Sequence, residues 1–419
     1  MEQTIRPAGR LSGVLSLPGD RSISHRLAMI ASLAEGTSRI ANFSTAADCY
    51  STLGCIRALG IEVSEEGTTA TIHGKGLRGW REPRGDLNVG KSAATVRMMA
   101  GLLAAQPFTS RIGGDELLSQ CSMAGVMEPL AEMGAKIEGR DRQYPPLTIH
   151  GGELRPIDYT APVASAQVKT CVLFGGLFAD GETVVREPVR SRDHTEIALR
   201  EFGADIQVKR RVITLAGRPS LEARDVAVPG DFSIAAIFLV AGLIVPDSNL
   251  LIQGVGLNPS RSALLDFLLS MGAEIQVTKI ELVNGEPMGD LRVRHSRIRG
   301  GVIEGGVVAL MDEIPALVVL GAASEGGLVV RGAAEEHQRL AENFGRLGIA
   351  IEVTPDGMRV AGRQKFRAAK LDSCGDWRIG MALAVAALRG DGDSVMEGAE
   401  AVSAELPEFW GLLERAAGR

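Results

Sequence analysis

Six segments of the chain open with a polar residue and continue as apolar stretches of helical length. Their openings lie near Ser22, Ser92, Ser165, Ser233, Asp312 and Asp376. Basic residues stand close to several of these openings, at Arg21, Arg26, Lys91, Arg97, Lys169 and Arg378. A helix N-terminus has free N–H groups and a partial positive charge, so it attracts anions. If the openings converge, the sequence predicts an anion-binding site; the alternative is that Ser and Asp are ordinary N-caps.

The elements that position these residues form a repeat. The six segments are apolar on nearly every face, which is typical of helices buried inside a domain. A second pattern, in which a helix end is followed by a glycine and then by an alternating strand, recurs roughly every seventy residues. Its glycines are Gly60, Gly134, Gly203, Gly272 and Gly348. The sequence therefore predicts six βα units, each with one internal and one outer helix, divided between two domains.

The composition excludes several functional classes. The chain has 419 residues, of which 45% are hydrophobic and 4% aromatic, with a net charge of −6. An acidic chain with few aromatic residues is a poor binder of nucleic acid or of anionic membranes. The five cysteines are scattered and the six histidines dispersed, so neither disulfides nor a metal site is predicted. The amino-terminal segment has no apolar signal core and no run approaches the ~20 residues of a membrane span, so we expect a soluble cytoplasmic protein.

Long, ordered motifs resemble those of the enolpyruvyl-transferase family, in its 5-enolpyruvylshikimate-3-phosphate (EPSP) synthase branch. They include PGDRSISHR, PVASAQVKT, SRDHTE, VPGDFSIAAIF, MDEIPAL and GDWRIGMALAVAAL. The resemblance implies an α/β fold of two inside-out barrel domains, with six βαβαββ repeats, three per domain. It implies one domain over residues 15–226 and another over 1–14 plus 227–419, with the active site in the interdomain cleft. It also implies a monomer that binds a small molecule and needs no cofactor.

The resemblance assigns most of a binding site for shikimate 3-phosphate. The residues that match this half of the family's site are Ser22, Arg26, Ser165, Ala166, Gln167, Ser191 and Arg192. Ser22 and Arg26 match positions that hold the shikimate carboxylate, and an Arg fork meets both carboxylate oxygens. Ser165, Ser191 and Arg192 match positions around the phosphate, and Gln167 lies against the ring in the family. The catalytic groups that it assigns are Asp312, the family's base, with Arg21 and Glu336.

The other half of the family's site, which binds phosphoenolpyruvate, departs from the family pattern. The residues that occupy its positions are Arg21, Lys91, Ala93, Ala94, Cys121, Arg339, Trp377 and Arg378. Arg21 stands for a lysine, Lys91 for an asparagine, Cys121 for an arginine and Trp377 for a histidine. Each lost charged contact is worth ~1.5–3 kcal/mol. We therefore expect phosphoenolpyruvate to bind weakly, and we interpret Cys121 as a space-filling thiol.

Three functions are compatible with such a site. The first is an elimination from shikimate or shikimate 3-phosphate without phosphoenolpyruvate, giving a cyclohexadiene acid for secondary metabolism. Asp312 would be the base, while Ala93, Ala94 and Trp377 would fill the vacated space. The second is a genuine carboxyvinyltransferase whose anion site is rebuilt with Lys91. The third is a non-catalytic homologue that binds the ligand; we expect the elimination.

Overall fold

The computed structural model describes residues 1–261, 263–304, 307–332 and 334–419. Its strands are β1 (Gln3–Ile5), β2 (Ser12–Ser16), β3 (Glu35–Ala41), β4 (Glu62–Glu66), β5 (Thr69–Lys75), β6 (Leu87–Asn88), β7 (Thr109–Gly113), β8 (Lys136–Arg140), β9 (Tyr144–His150), β10 (Asp158–Thr160), β11 (Glu182–Arg186), β12 (Ile206–Lys209), β13 (Val212–Ala216), β14 (Asp225–Ala227), β15 (Asn249–Gly256), β16 (Glu274–Val283), β17 (Glu286–Arg294), β18 (Gly301–Ile303), β19 (Leu328–Arg331), β20 (Ile351–Thr354), β21 (Gly357–Val360), β22 (Lys370–Asp372) and β23 (Ser394–Glu397).

The helices connect these strands and alternate with them along the chain. They are α1 (Arg21–Leu33), α2 (Ala47–Ala58), α3 (Ala93–Leu103), α4 (Ala124–Glu132), α5 (Ala166–Gly176), α6 (His194–Glu201), α7 (Phe232–Ile244), α8 (Ala263–Ser270), α9 (Ile314–Ala323), α10 (Ala334–Arg346), α11 (Trp377–Ala387), α12 (Glu400–Glu405) and α13 (Phe409–Ala416), with 3-10 turns at Leu118–Gln120 and Val307–Glu313.

The chain divides into two compact units. The first unit consists of Met1–Pro18, Pro229–Glu281 and Pro287–Arg419, and the second of Gly19–Val228 with Leu282–Glu286. Each unit has its own hydrophobic core. Two cores are expected for a chain of this length, because a single core seldom grows beyond ~250–300 residues.

The described strands form six sheets, and the α/β architecture that the sequence predicts is confirmed. In the second unit their orders are β14-β3-β5-β4, β6-β7-β9-β8 and β10-β11-β13-β12; in the first they are β16-β17-β15-β2, β18-β19-β21-β20 and β1-β23-β22. The second and third sheets of the second unit come from consecutive βαβαββ segments of the chain. Their first two strands run parallel and the rest antiparallel, as in β6, β7 and β9.

Strands from distant parts of the chain complete three of the sheets. In the second unit β14 runs parallel to β3, with Asp225 opposite Arg39. In the first unit β2 runs parallel to β15, and β1 runs antiparallel to β23. The first unit is therefore discontinuous in sequence, since its sheets need both amino-terminal strands.

The internal helices are buried on almost every face. In the second unit α3 packs on α5, and in the first unit α7, α9 and α11 pack on one another. The contact between α3 and α5 needs Gly101, because a Cβ there would lie 2.1 Å from the carbonyl oxygen of Cys171. Burial all round explains why these helices carry no polar stripe.

The five repeat glycines have the conformation that the sequence predicts. All have positive φ, between 81° and 98°, and each follows a helix end (Gly60, Gly134, Gly203, Gly272 and Gly348). A side chain at these φ values is strained, so glycine ends the helix at the lowest cost. Two of the predicted helix openings lie slightly earlier, because Asp20 caps α1 and Asp231 caps α7.

Candidate functional site

Arg26 holds together the starts of three helices in the second unit. Its side chain is buried, and Nε donates to Thr195 Oγ1 at 2.7 Å. Nη1 donates to Ser22 O at 2.8 Å and Oγ at 2.6 Å. Nη2 donates to Ala166 O at 3.3 Å and Thr170 Oγ1 at 3.0 Å. These five bonds match the five N–H groups of a guanidinium, so Arg26 joins α1, α5 and α6 at one point.

The guanidinium of Arg26 is a buried cation that interacts with a second cation, Arg192. Burial lowers the pKa of Arg26 to about 10, and the positive charge of Arg192 acts in the same direction. Arg26 therefore remains charged at neutral pH. Ser22, Arg26 and Arg192, which the resemblance assigns to one substrate, thus lie in one region of the second unit, where Glu196, Asp20 and Glu286 also act on the charge of Arg26.

Ser165 and Gln167 stand at the start of α5. Ser165 is the N-cap of this helix, and its Oγ accepts from Val168 N at 3.3 Å. Gln167 Oε1 accepts from Arg97 Nη1 at 2.8 Å. Burial lowers the pKa of Arg97. The residue assigned to the ring is therefore held by a cation from α3, and Arg97 joins the candidate site.

Ser191 is held by a buried ion cluster. Its Oγ donates to Glu187 Oε1. Glu187 Oε2 lies 3.1 Å from Lys169 Nζ, which also lies 2.8 Å from Glu196 Oε1. All three charged side chains are at most 3% exposed. Burial raises the pKa of Glu196, although the charge of Lys169 acts in the opposite direction. Lys169 thus ties the segment before α6 to α5.

The segment before α3 carries a new cation. Lys91 is exposed, and it precedes Ser92, the N-cap whose Oγ accepts from Thr95 N at 3.3 Å. Ala93 and Ala94 are partly buried and pack against the core of the second unit. Cys121 also packs there, and its thiol donates to Leu117 O at 3.7 Å.

A carboxylate faces Arg21, the first residue of α1. Burial acts to raise the pKa of Asp48, but the charge and hydrogen bond of His25, with the charge of Arg21, hold this pKa below its usual range. Among the described residues, His25, Asp48 and Cys49 have ligand atoms close enough to share a metal ion. Both ring nitrogens of His25 already have protein partners, and Zn²⁺ requires a fourth ligand. Hydrogen bonding accounts for this group.

Asp312 and Arg378 lie together in the first unit. Arg378 donates through Nε and Nη2 to the two carboxylate oxygens of Asp376, at 3.1 and 2.8 Å. Its Nη1 lies 3.5 Å from Asp312 Oδ1. Burial acts to raise the pKa of Asp376, but the hydrogen bond and charge of Arg378 lower it. Asp376 thus fixes the guanidinium, while Asp312, 33% exposed, makes the looser contact.

Two of the predicted site residues cannot be placed, and some residues that contact the site were not predicted. The side chains of Glu336 and Arg339 lie outside the described residues. Trp377 packs against the core of the first unit. The sequence did not single out Thr195, Thr170 or Glu187, and it singled out Asp376 only as a helix opening. Thr195 lies in the SRDHTE motif and Thr170 one turn after Ala166, so the motif was a usable signal for the first and helical spacing for the second.

No helix in the described ranges has both the length and the apolar composition to cross a bilayer.

Comparison with known proteins gives one consistent result. The family described as EPSP synthase (3-phosphoshikimate 1-carboxyvinyltransferase) matches residues 5–413. A 3-phosphoshikimate 1-carboxyvinyltransferase of Solibacter usitatus is 61% identical over 425 residues, which cover 100% of both chains. One of Citrifermentans bemidjiense is 44% identical over 98% of each chain. The solved EPSP synthase of Acinetobacter baumannii superposes with a TM-score of 0.91, at 36% identity, over 99% of this chain and 98% of its own.

The expected elimination reaction is wrong. A relative that is 61% identical from end to end carries the name of a transferase, and the place in secondary metabolism falls with the elimination. The substitutions remove charges, and from this loss we expected Ala93, Ala94 and Trp377 to fill a vacated space. These three side chains pack against the cores of their own units. Cations remain at Lys91 and Arg97.

Proposed function

This chain belongs to the EPSP synthase family, and from that premise we propose that it is a 3-phosphoshikimate 1-carboxyvinyltransferase. It transfers the enolpyruvyl group of phosphoenolpyruvate to a ring hydroxyl of shikimate 3-phosphate. The bond between the enol carbon and the phosphate oxygen breaks, and a bond from that carbon to the ring oxygen forms. The hydroxyl proton leaves with inorganic phosphate. The geometric observation that supports this proposal most is the joining of three helix starts by Arg26.

The second unit holds shikimate 3-phosphate in this proposal. Ser22 and Arg26 bind the ring carboxylate, and Ser165, Ser191 and Arg192 bind the phosphate. Ala166 supplies backbone only, because it has no hydroxyl. Arg26 already uses five donors on protein acceptors. It therefore acts mainly through its charge and by orienting Ser22, whose hydroxyl it holds at 2.6 Å.

Phosphoenolpyruvate carries a carboxylate and a phosphate, and the residues proposed to bind it are cations. They are Arg21, Lys91, Arg97 and Arg378. A two-pronged contact with Asp376 fixes the guanidinium of Arg378. Arg339 remains a further proposal. Cys121 stands in place of an arginine of the family, so one positive charge is lost there. The positive charge that Lys91 adds offsets this loss, so affinity for the phosphoenolpyruvate anion is retained.

Asp312 is the proposed base for the ring hydroxyl. Its carboxylate is partly exposed, and its ion pair with Arg378 is long at 3.5 Å. A partly exposed carboxylate is accessible to a ring hydroxyl and can accept its proton, whereas Asp376 is held ionised by Arg378. Arg21 and Glu336 are proposed as the other two catalytic groups, with Glu336 as a second group for proton transfer.

We propose that the enzyme acts in aromatic amino acid biosynthesis, as a cytoplasmic monomer without cofactor or metal. Its substrates are two small anions, and the helix starts and arginines provide the electrostatic stabilisation that a cofactor supplies elsewhere.

The test is phosphate release by the purified protein with shikimate 3-phosphate alone, phosphoenolpyruvate alone, and both together. We expect release only with both, with a ring product that has gained the enolpyruvyl group by mass spectrometry. Asp312→Asn is the matched variant, since it keeps the side chain's shape and removes the base. Phosphate release from phosphoenolpyruvate alone would indicate a phosphatase-like reaction and contradict the proposal.

A further inference from the structure

We propose that His25 is a positioning residue for the binding of phosphoenolpyruvate. It orders the start of α3 through a buried chain of hydroxyl groups. This inference rests on the proposed transferase function. Lys91 and Ser92 stand at the start of α3, and the hydroxyl groups of Thr52 and Thr95 link His25 to Ser92. The chain between them passes through side chains for which the proposed reaction gives no other role.

The chain has four links. His25 Nε2 lies 3.3 Å from Asp48 Oδ2, and His25 Nδ1 lies 2.7 Å from Thr52 Oγ1. Thr52 Oγ1 lies 2.8 Å from Thr95 Oγ1, which lies 2.8 Å from Ser92 Oγ. The chain thus connects α2, α1 and the start of α3, all in the second unit.

These polar groups are buried among apolar side chains. Thr52 and Thr95 are fully buried, and His25 and Ser92 are at most 3% exposed. Apolar residues of the same size would fill this space without any need for partners. A hydroxyl has one proton, so the donor at one link decides the donor at the next, and all the hydroxyl groups of the chain turn together. What the chain adds over an apolar core is therefore the orientation of the Ser92 hydroxyl.

The other end of the chain reaches Arg21. The carboxylate of Asp48 interacts electrostatically with Arg21 and with His25. The thiol of Cys49, the next residue, donates to the carbonyl oxygen of Arg21 at 3.7 Å. His25 therefore couples the two segments that carry Arg21 and Lys91, both proposed to bind phosphoenolpyruvate. Shikimate 3-phosphate is assigned to other groups, which are Ser22 and Arg26 on α1 and residues on α5 and before α6. None of these residues is a member of the hydrogen-bonded chain.

The test uses variants that cut the chain at defined links. His25→Gln keeps a group near Asp48 and loses Thr52, whereas His25→Asn keeps a group near Thr52 and loses Asp48. Thr52→Val removes the middle hydroxyl, and Thr52→Ser keeps it. We expect His25→Gln and Thr52→Val to raise the KM for phosphoenolpyruvate about fivefold to tenfold, the effect of one hydrogen bond. His25→Asn and Thr52→Ser should raise the KM for phosphoenolpyruvate by a factor several times smaller than these two variants do. In all four variants the KM for shikimate 3-phosphate should change less than twofold.

A matched control exists on the surface. His150 lies 3.4 Å from Thr109 Oγ1 and 3.3 Å from Glu138 Oε1, so it has the same kinds of partner in an exposed setting. His150→Gln should leave both KM values unchanged. The double variant His25→Gln/Thr52→Val should raise the KM for phosphoenolpyruvate no more than the single variant with the larger effect does, because both substitutions cut the same chain.

Equal losses for both substrates, or additive losses in the double variant, would overturn the inference. So would a change in urea midpoint without a change in KM, which a purely structural histidine predicts. If the wild-type protein transfers no enolpyruvyl group, the proposed function fails. If the wild type is active and His25→Gln leaves the KM for phosphoenolpyruvate unchanged, only this inference fails.

Discussion

Replacing Arg26 with lysine tests how the second unit is organised. The guanidinium makes five hydrogen bonds to three helices, and its side chain is 2% exposed. A lysine ammonium has three donors at one point, so at least two buried acceptors lose their partner. A hydrogen bond to a charged group is worth ~1.5–3 kcal/mol, so the expected loss is roughly 3–6 kcal/mol. That is a large part of the ~5–15 kcal/mol by which a domain is stable.

Urea unfolding followed by tryptophan fluorescence measures this loss. Trp80 is a suitable reporter, because its Nε1 donates to Ser32 Oγ on α1 at 3.2 Å. Arg57→Lys is the matched control; Arg57 is 39% exposed and contacts Glu65 on the surface. We expect this control to lose at most ~1 kcal/mol. If Arg26→Lys also lies within about 1 kcal/mol of wild type, the five-bond interpretation of Arg26 is refuted.

Three further outcomes are expected. Asp312→Asn should lower kcat at least ~100-fold with little change in either KM, since only the base is lost. Steady-state kinetics measure this effect, and a kcat within about tenfold of wild type would exclude Asp312 as the base. Lys91→Met should raise the KM for phosphoenolpyruvate ~10-fold or more, and an equal rise for shikimate 3-phosphate would contradict its assignment. Asp48 has a lowered pKa in the folded protein, chiefly because His25 outweighs the raising effect of burial, so its contribution to stability is present above its ordinary pKa of 3.8 and is lost as pH falls. Asp48→Asn should therefore be less stable at pH 7 and lose less stability on acidification; urea midpoints that fall in parallel for both proteins would contradict this.

Local rules were sufficient to predict the architecture. The five repeat glycines end helices because a left-handed residue is needed there, and this requirement depends only on the chain nearby. The buried helices were recognisable because each lacks a polar face. The resemblance, and not the residue pattern, placed residues 1–14 in one domain with residues 227–419. The pairing partners of β14, β2 and β1 were not predicted, because short strands that pair across some 190 residues or more leave no local pattern.

The candidate site was predictable in residue type and less so in partners. Arg26 was singled out, but its acceptors on Thr170 and Thr195 lie 144 and 169 residues away. The pairing of Arg378 with Asp376 was closer in sequence and could have been found from the helix cap. The reaction was misjudged for a related reason. A list of substitutions shows which charges are absent, and it does not show which neighbouring cations remain or where the new side chains pack.

The most direct test of the account is to follow isotopically labelled phosphoenolpyruvate through the reaction by NMR. The wild-type protein and shikimate 3-phosphate are supplied, and the labelled enol carbon is observed. The account predicts that the label appears in an enol ether attached to the ring, with one phosphate released for each transfer. Label that stays in phosphoenolpyruvate while the ring loses its own phosphate would contradict the transferase and with it the proposed roles of Lys91 and Arg97.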